Sequence, residues 1–115
     1  MDNAFQTMYD KARSFYDEGN YDQAERLYLQ VLKNNPKGYA DVFNKLGLIE
    51  HRKGNLDKAA DFFEKALSLN PKYTEASLNL AVTYNDLSRF DDAERIFSKA
   101  AGIVIAPVWI LKPGL

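Results

Sequence analysis

Few residues in this chain have the types and spacing that chemistry demands. His51 is the single histidine and there is no cysteine, so neither a His-based metal cluster nor a Ser-His-Asp or Cys-His nucleophile can be assembled from the usual parts of one chain. His51 reads as a partly exposed titrating side chain near the end of a helix, and it is assigned no role. Asp91 and Asp92 form a carboxylate pair of the kind that serves acid/base or metal chemistry. Adjacent helical residues do not share a face, however, and the pair suits the positive end of a helix dipole instead. Gly19 and Gly54 are isolated turn residues rather than a phosphate-cradling loop. This inventory predicts no enzyme, no cofactor and no metal, which leaves binding as the chemistry to be explained.

Bulk composition narrows what could be bound. Across 115 residues, 15 Lys and Arg face 16 Asp and Glu, for a net charge of −1. That balance argues against a sequence-independent grip on nucleic acid, which rests on clustered basic side chains. A hydrophobic share of 46% with 13% aromatics is enough for a core and too order-promoting for a disordered chain. The length sets a limit of one compact unit. No apolar run approaches a membrane span, and Met1-Asp2-Asn3 lacks the basic flank and apolar stretch of a secretory leader. No membrane partner and a cytoplasmic location by default are the expectations, although the lack of cysteine is equally compatible with an oxidising compartment.

The elements that would position a binding surface emerge from an internal repeat. Gly19-Asn20-Tyr21-Asp22-Gln23-Ala24-Glu25 is answered by Gly54-Asn55-Leu56-Asp57-Lys58-Ala59-Ala60 and then by Ser88-Arg89-Phe90-Asp91-Asp92-Ala93-Glu94. Ala24, Ala59 and Ala93 stand 35 and 34 residues apart, and Asn35-Pro36 and Asn70-Pro71 close the first two units. A period of this length marks a solenoid. Each unit divides into two stretches of helical length, interrupted at Gly19, Gly54 or Ser88, so each is predicted to be a helical hairpin.

The spacing also predicts packing. Ala12, Gly47 and Ala81 on the first helices and Ala24, Ala59 and Ala93 on the second let helix axes approach closely. Tyr28, Phe63 and Phe97 are expected to fill the groove beside them. Met8 with Phe15, Phe43 with Leu46 and Leu80 with Tyr84 recur at helical spacing. Asn20 and Asn55 sit where a side-chain oxygen could cap the second helices, and Asn34, Asn35 and Asn70 suit the turns that follow.

With these residues in view, the units resemble tetratricopeptide repeats. The middle unit matches through Leu46-Gly47, Gly54, Ala59-x-x-x-Phe63, Ala66 and Pro71, the first through Ala12, Phe15, Gly19, Tyr21, Ala24, Tyr28 and Pro36, and the third through Leu80-Ala81, Tyr84, Phe90, Ala93, Phe97 and Ala100. Lys11, Glu50 and Ser77 depart from the pattern, as does the missing Asn-Pro after the third unit. The resemblance implies an all-α, right-handed α-solenoid of three helix-turn-helix repeats, at about 5–38, 40–73 and 74–102, followed by an apolar non-helical tail over 103–115. It further implies a protein-interaction module that holds a peptide segment of a partner on a concave face lined by first helices.

Carried over by register, that face includes Tyr9, Arg13, Asn44, Lys45, Leu48, Leu78, Asn79 and Val82. The amides of Asn44 and Asn79 could pair with a peptide backbone or simply be solvated, while Tyr9, Leu48, Leu78 and Val82 suit either an apolar anchor pocket or packing between hairpins. Some relatives clamp the acidic C-terminal tails of chaperones. Here the corresponding places hold Tyr9, Arg13, Lys45, Glu75 and Asn79, and Glu75 would repel such a tail.

From Gly102 to Leu115 the helical pattern gives way to a β-branched apolar strip interrupted by Pro107 and Pro113. Such a strip orders only against a surface. It could cover the open side of the third unit near Ile96 and Phe97, or lie in the groove of another copy, making Ile105, Val108, Trp109, Ile110 and Leu111 self-association residues of a homo-oligomeric scaffold. An artefact of truncation is the third reading.

Overall fold

The computed structural model describes residues 3–35 and 38–102. Among them are six helices and no strand: α1 (Asn3–Asp17), α2 (Tyr21–Lys33), α3 (Ala40–Arg52), α4 (Leu56–Leu69), α5 (Thr74–Asp86) and α6 (Phe90–Ala101). Helix α1 packs on α2, α3 on α4 and α5 on α6, while α2 meets α3 and α4 meets α5. Three hairpins are therefore stacked in chain order in an all-α repeat. Pro36 and the five tail residues Ile105, Val108, Trp109, Ile110 and Leu111 lie outside the described residues.

The turn inside each hairpin follows from one backbone conformation. Gly19 (φ 83°), Gly54 (φ 84°) and Ser88 (φ 60°) all occupy the left-handed region. The next amide then reaches back to a carbonyl five residues earlier: Asn20 to Phe15 at 2.8 Å, Asn55 to Glu50 at 2.9 Å and Arg89 to Tyr84 at 2.8 Å. This closure satisfies carbonyls that the helix end leaves open. Ser88 makes the turn with a Cβ that the left-handed region disfavours. Ser88→Gly should therefore stabilise the chain by roughly 0.5–1 kcal/mol, after allowance for the extra freedom of glycine in the unfolded state, read as a higher urea midpoint at unchanged slope.

The expected caps are not made by side chains. Asn20 and Asn55 occupy the N-cap positions, but neither forms a side-chain cap hydrogen bond. Their ψ values of 72° and 71° depart from the extended geometry that aims an N-cap oxygen at first-turn amides. The Asn55 amide instead donates to the buried Glu50 carboxylate at 3.0 Å. Burial pushes the Glu50 carboxyl up, but hydrogen bonding to Asn55 and Glu25 and the charges of Lys58 and Lys53 outweigh it and hold the group below its ordinary value. The Asn70 carboxamide serves its turn by accepting from the Lys72 amide at 3.3 Å.

The core is made where a small residue faces a large one. Ala12, Ala24, Tyr28, Val31, Val42, Leu46 and Ile49 form one buried cluster, and Ala59, Ala60, Phe63, Leu80 and Tyr84 form a second. At Gly47 a Cβ would lie 2.5 Å from Cε1 of Phe63, so the α3–α4 approach depends on the missing side chain. Lys11 is exposed on the outer face of α1. The pairing fails only at Phe97: Tyr28 and Phe63 are 1% and 0% exposed, whereas Phe97 is 45% exposed. Each of the first two aromatics is covered by the hairpin that follows, and among the described residues nothing follows the third.

Candidate functional site: the face of the first helices

Helices α1, α3 and α5 form one face because each begins a hairpin of nearly equal length. Side chains at matching registers therefore meet across neighbouring hairpins. At the α1–α3 seam the Tyr9 hydroxyl donates to the Asp41 carboxylate, and the Tyr9 ring stacks on Phe5 at 6.2 Å and meets Tyr28 edge-on at 6.3 Å. Lys45 lays its ammonium 4.4 Å from the centre of the Tyr16 ring, a cation–π contact that anchors the long side chain.

The α3–α5 seam is held by two polar pairs, both 35 residues apart in sequence. The Asn79 amide donates to the Asn44 carbonyl oxygen at 2.9 Å, and His51 Nε2 lies 2.8 Å from Asp86 Oδ2. The remaining Asn44 donor faces the Tyr73 hydroxyl at 3.4 Å. Burial, followed by the Glu75 and Asp41 charges, raises the Tyr73 phenol while the Asn44 hydrogen bond works against them, so it stays protonated at neutral pH. Asn44 is fully buried. It is a joint between hairpins rather than an amide presented to a peptide or to water, because its carboxamide is already engaged at both ends.

The other register residues fall into two groups. Leu48 is half-buried and packs on the second core cluster. Arg13 is exposed on α1, and Leu78 and Val82, one turn apart on α5, are 41% and 55% exposed. Leu78 and Val82 thus form an apolar step that the core does not use. Tyr9, Lys45 and Asn79 are partly accessible and already hold neighbours.

Sequence reasoning overlooked Tyr73 and the His51–Asp86 pair. The repeat period was the available signal for the latter, since a shift of 35 residues carries His51 onto Asp86 just as it carries Asn44 onto Asn79. Tyr73 precedes α5, where no helical periodicity marks it.

At the edge of this face an open hollow of about 700 Å³ is lined by Gly19, Tyr21, Asp22, Ile49, His51, Arg52 and Lys53. Its cations are engaged. The Arg52 guanidinium lies 4.6 Å from the Tyr21 ring centre, and Lys53 pairs with Glu25 at 2.7 Å and Asp22 at 3.5 Å. Among the described residues there is no group of three or more His, Asp or Glu side chains placed to hold a metal, and no helix long and apolar enough to cross a membrane.

Comparison with known proteins agrees with this architecture. The chain is 37% identical over 71 residues to the uncharacterized protein ycf37 of Pyropia yezoensis, covering 62% of this chain and 39% of that one. It is 29% identical over 107 residues to the photosystem I assembly protein Ycf3 of Cyanophora paradoxa, covering 79% and 62% respectively. The chain therefore spans less than two thirds of the length of either relative. Among solved structures, MamA superposes with a TM-score of 0.79 at 26% identity, covering 85% of this chain and 57% of MamA. The second repeat domain of Spaghetti (RPAP3), solved bound to an HSP90 peptide, superposes with a TM-score of 0.79 at 16% identity over 89% and 94% of the two chains, a likeness of fold alone. Two family models described as tetratricopeptide repeat match residues 9–74 and 51–103. By the extent of that match and by its three stacked hairpins, the chain belongs to the tetratricopeptide repeat family.

Proposed function

We propose that the chain is a non-catalytic protein-interaction module whose first-helix face holds an extended peptide segment of a partner protein. The observation that carries this reading is the exposed Leu78–Val82 step on α5: two large aliphatic side chains stand out from a first helix without serving the core. Each repeat adds contacts along one line, which suits an extended ligand.

The chemistry of the face favours a peptide with aliphatic anchors over an acidic tail. Glu75 lies in the first turn of α5, and the Asn79 amide is spent on Asn44, so a carboxylate would meet repulsion and one donor fewer. Single polar contacts cannot carry the affinity. A neutral hydrogen bond nets about 0.5–1.5 kcal/mol while micromolar binding needs about 8, so several anchors act together.

The test is affinity capture with mass spectrometry, followed by titration of the captured partner's peptides against native chain and a Leu78→Ser, Val82→Ser double variant. The variant should keep its helical circular dichroism and bind at least about tenfold more weakly, the equivalent of 1.4 kcal/mol. Equal affinity for both proteins would remove the groove reading.

A further inference from the structure

We infer that the peptide recognised by α5 is basic as well as aliphatic: an extended segment that presents a basic, an aliphatic, an aliphatic and a basic side chain at every second position. This rests on the groove reading proposed above and adds to it the sign and the spacing of the ligand's charges. Glu75, Leu78, Val82 and Asp86 follow one another at intervals of three, four and four residues, so they share one side of α5. All four are exposed. Between Thr74 and Asp86 there is no Lys or Arg, and Glu75 and Asp86 are the only acidic side chains. The apolar step is therefore bracketed by one carboxylate at each end.

Both carboxylates can receive a cation. Glu75 stands in the first turn of α5. Asp86 holds His51 Nε2 at 2.8 Å through one oxygen, yet its side chain is 41% exposed, and a carboxylate has acceptor sites to spare on its second oxygen. Of the cations on this face, Lys45 and Arg52 of α3 lie against the Tyr16 and Tyr21 rings at 4.4 and 4.6 Å, and Arg13 belongs to the first hairpin. A basic side chain at each end of the step gains a charge-assisted contact, whereas an acidic one meets like charge. The spacing selects an extended ligand. Four residues of helix advance about 6 Å, close to the 6.4–6.8 Å that separates every second residue of an extended chain. From Glu75 to Asp86 the helix rises about 16 Å, against about 20 Å for six extended residues. The excess falls at the two ends, where long, flexible basic side chains absorb it.

The test uses the full chain and synthetic seven-residue peptides with capped ends, titrated to millimolar concentration and followed by NMR amide shifts. The first peptide carries lysine, leucine, leucine and lysine at alternate positions with serine between them. In the second, glutamate replaces lysine. The lysine peptide should bind at least about tenfold more tightly, the sum of attraction gained and repulsion avoided at two exposed sites. A permuted lysine peptide with its two leucines adjacent should bind more weakly than the alternating one. Glu75→Gln with Asp86→Asn should abolish the preference for lysine over glutamate while helical circular dichroism is retained. Glu75→Gln alone should reduce it about threefold, roughly half of the total effect on a logarithmic scale, and it leaves the His51 contact intact if the double variant loses helicity. Equal affinity for the lysine and glutamate peptides would overturn the inference and leave the groove reading standing. A preference that survives both carboxylate substitutions, or equal binding of the permuted peptide, would overturn it in the same way. Binding of the lysine peptide that is unaffected by Leu78→Ser with Val82→Ser would overturn the inference and the groove reading together. Failure of the lysine peptide to bind would overturn the inference alone, since the groove reading is decided by the captured partner's own peptides.

Discussion

Phe63→Ala should cost about 3–5 kcal/mol of folding stability, the usual loss when a fully buried aromatic side chain is deleted from a core. Phe63 is 0% exposed and belongs to the cluster that joins α4 to α5 through Leu80 and Tyr84. Its ring also fills the space that Gly47 leaves on α3. Removing it therefore loosens the hairpin interior and the junction with the next hairpin together. Small domains have about 5–15 kcal/mol in total, so this variant should be close to the limit of folding. Gly47→Ala is the mirror experiment. The new Cβ would stand 2.5 Å from the Phe63 ring, and overpacking of this kind costs about 1–3 kcal/mol. The two changes should couple. In the Phe63→Ala background the added methyl enters the vacated space, so its penalty should vanish and a double-mutant cycle by urea unfolding should give a coupling energy opposite in sign to the single costs. Simple additivity would show that Gly47 and Phe63 do not share one space.

Asn44→Ala should be the second largest loss, about 1–3 kcal/mol, because it removes a fully buried side chain whose carboxamide is hydrogen-bonded at both ends. The Asn79 amide would lose its acceptor at 2.9 Å and the Tyr73 hydroxyl its donor at 3.4 Å, both at the α3–α5 seam. The change belongs to stability and not to ligand contact. Chemical denaturation should show a lower midpoint, while the peptide affinity of the fraction that remains folded should be unchanged. Leu78→Ser with Val82→Ser should give the opposite pattern, since both side chains project from the surface. An Asn44→Ala protein of native stability and reduced affinity would instead place its carboxamide in the ligand site.

The division between these two residue sets was only partly legible in the sequence. The hairpins were legible because Gly19, Gly54 and Ser88 recur at the point where the backbone must turn left-handed, and the core was legible through Ala24 with Tyr28 and Ala59 with Phe63. These are local and periodic constraints. Asn44 was not legible as a buried joint, because its burial is decided by the side chain that arrives 35 residues later rather than by its own neighbours. Asn20 and Asn55 were misread for a related reason: residue type favours a cap, but the backbone geometry at the end of a tight turn aims their side chains elsewhere, in the case of Asn55 at Glu50. Phe97 carries the same residue pattern as Phe63, and nothing in that pattern records whether another hairpin follows. Among the candidate site residues, Leu78 and Val82 are exposed as a ligand-facing step requires, whereas Asn44 is enclosed and Leu48 is drawn partly into the core.

The mainly sequential contacts of the array, α1 to α2, α2 to α3, α3 to α4 and onward, with α3 to α5 a smaller addition, govern how the chain acquires its shape during synthesis. Partners along the chain are close in sequence, so little loop entropy is spent before contacts begin to form, and architectures of this kind fold rapidly. The pair α3 and α4 has a neighbour on each side and holds the Gly47–Phe63 approach, which makes it the natural nucleus onto which the outer pairs condense. A nascent chain that has delivered residues up to Leu69 can therefore begin condensing while the remainder is still being made, and each later pair is templated by the one before it.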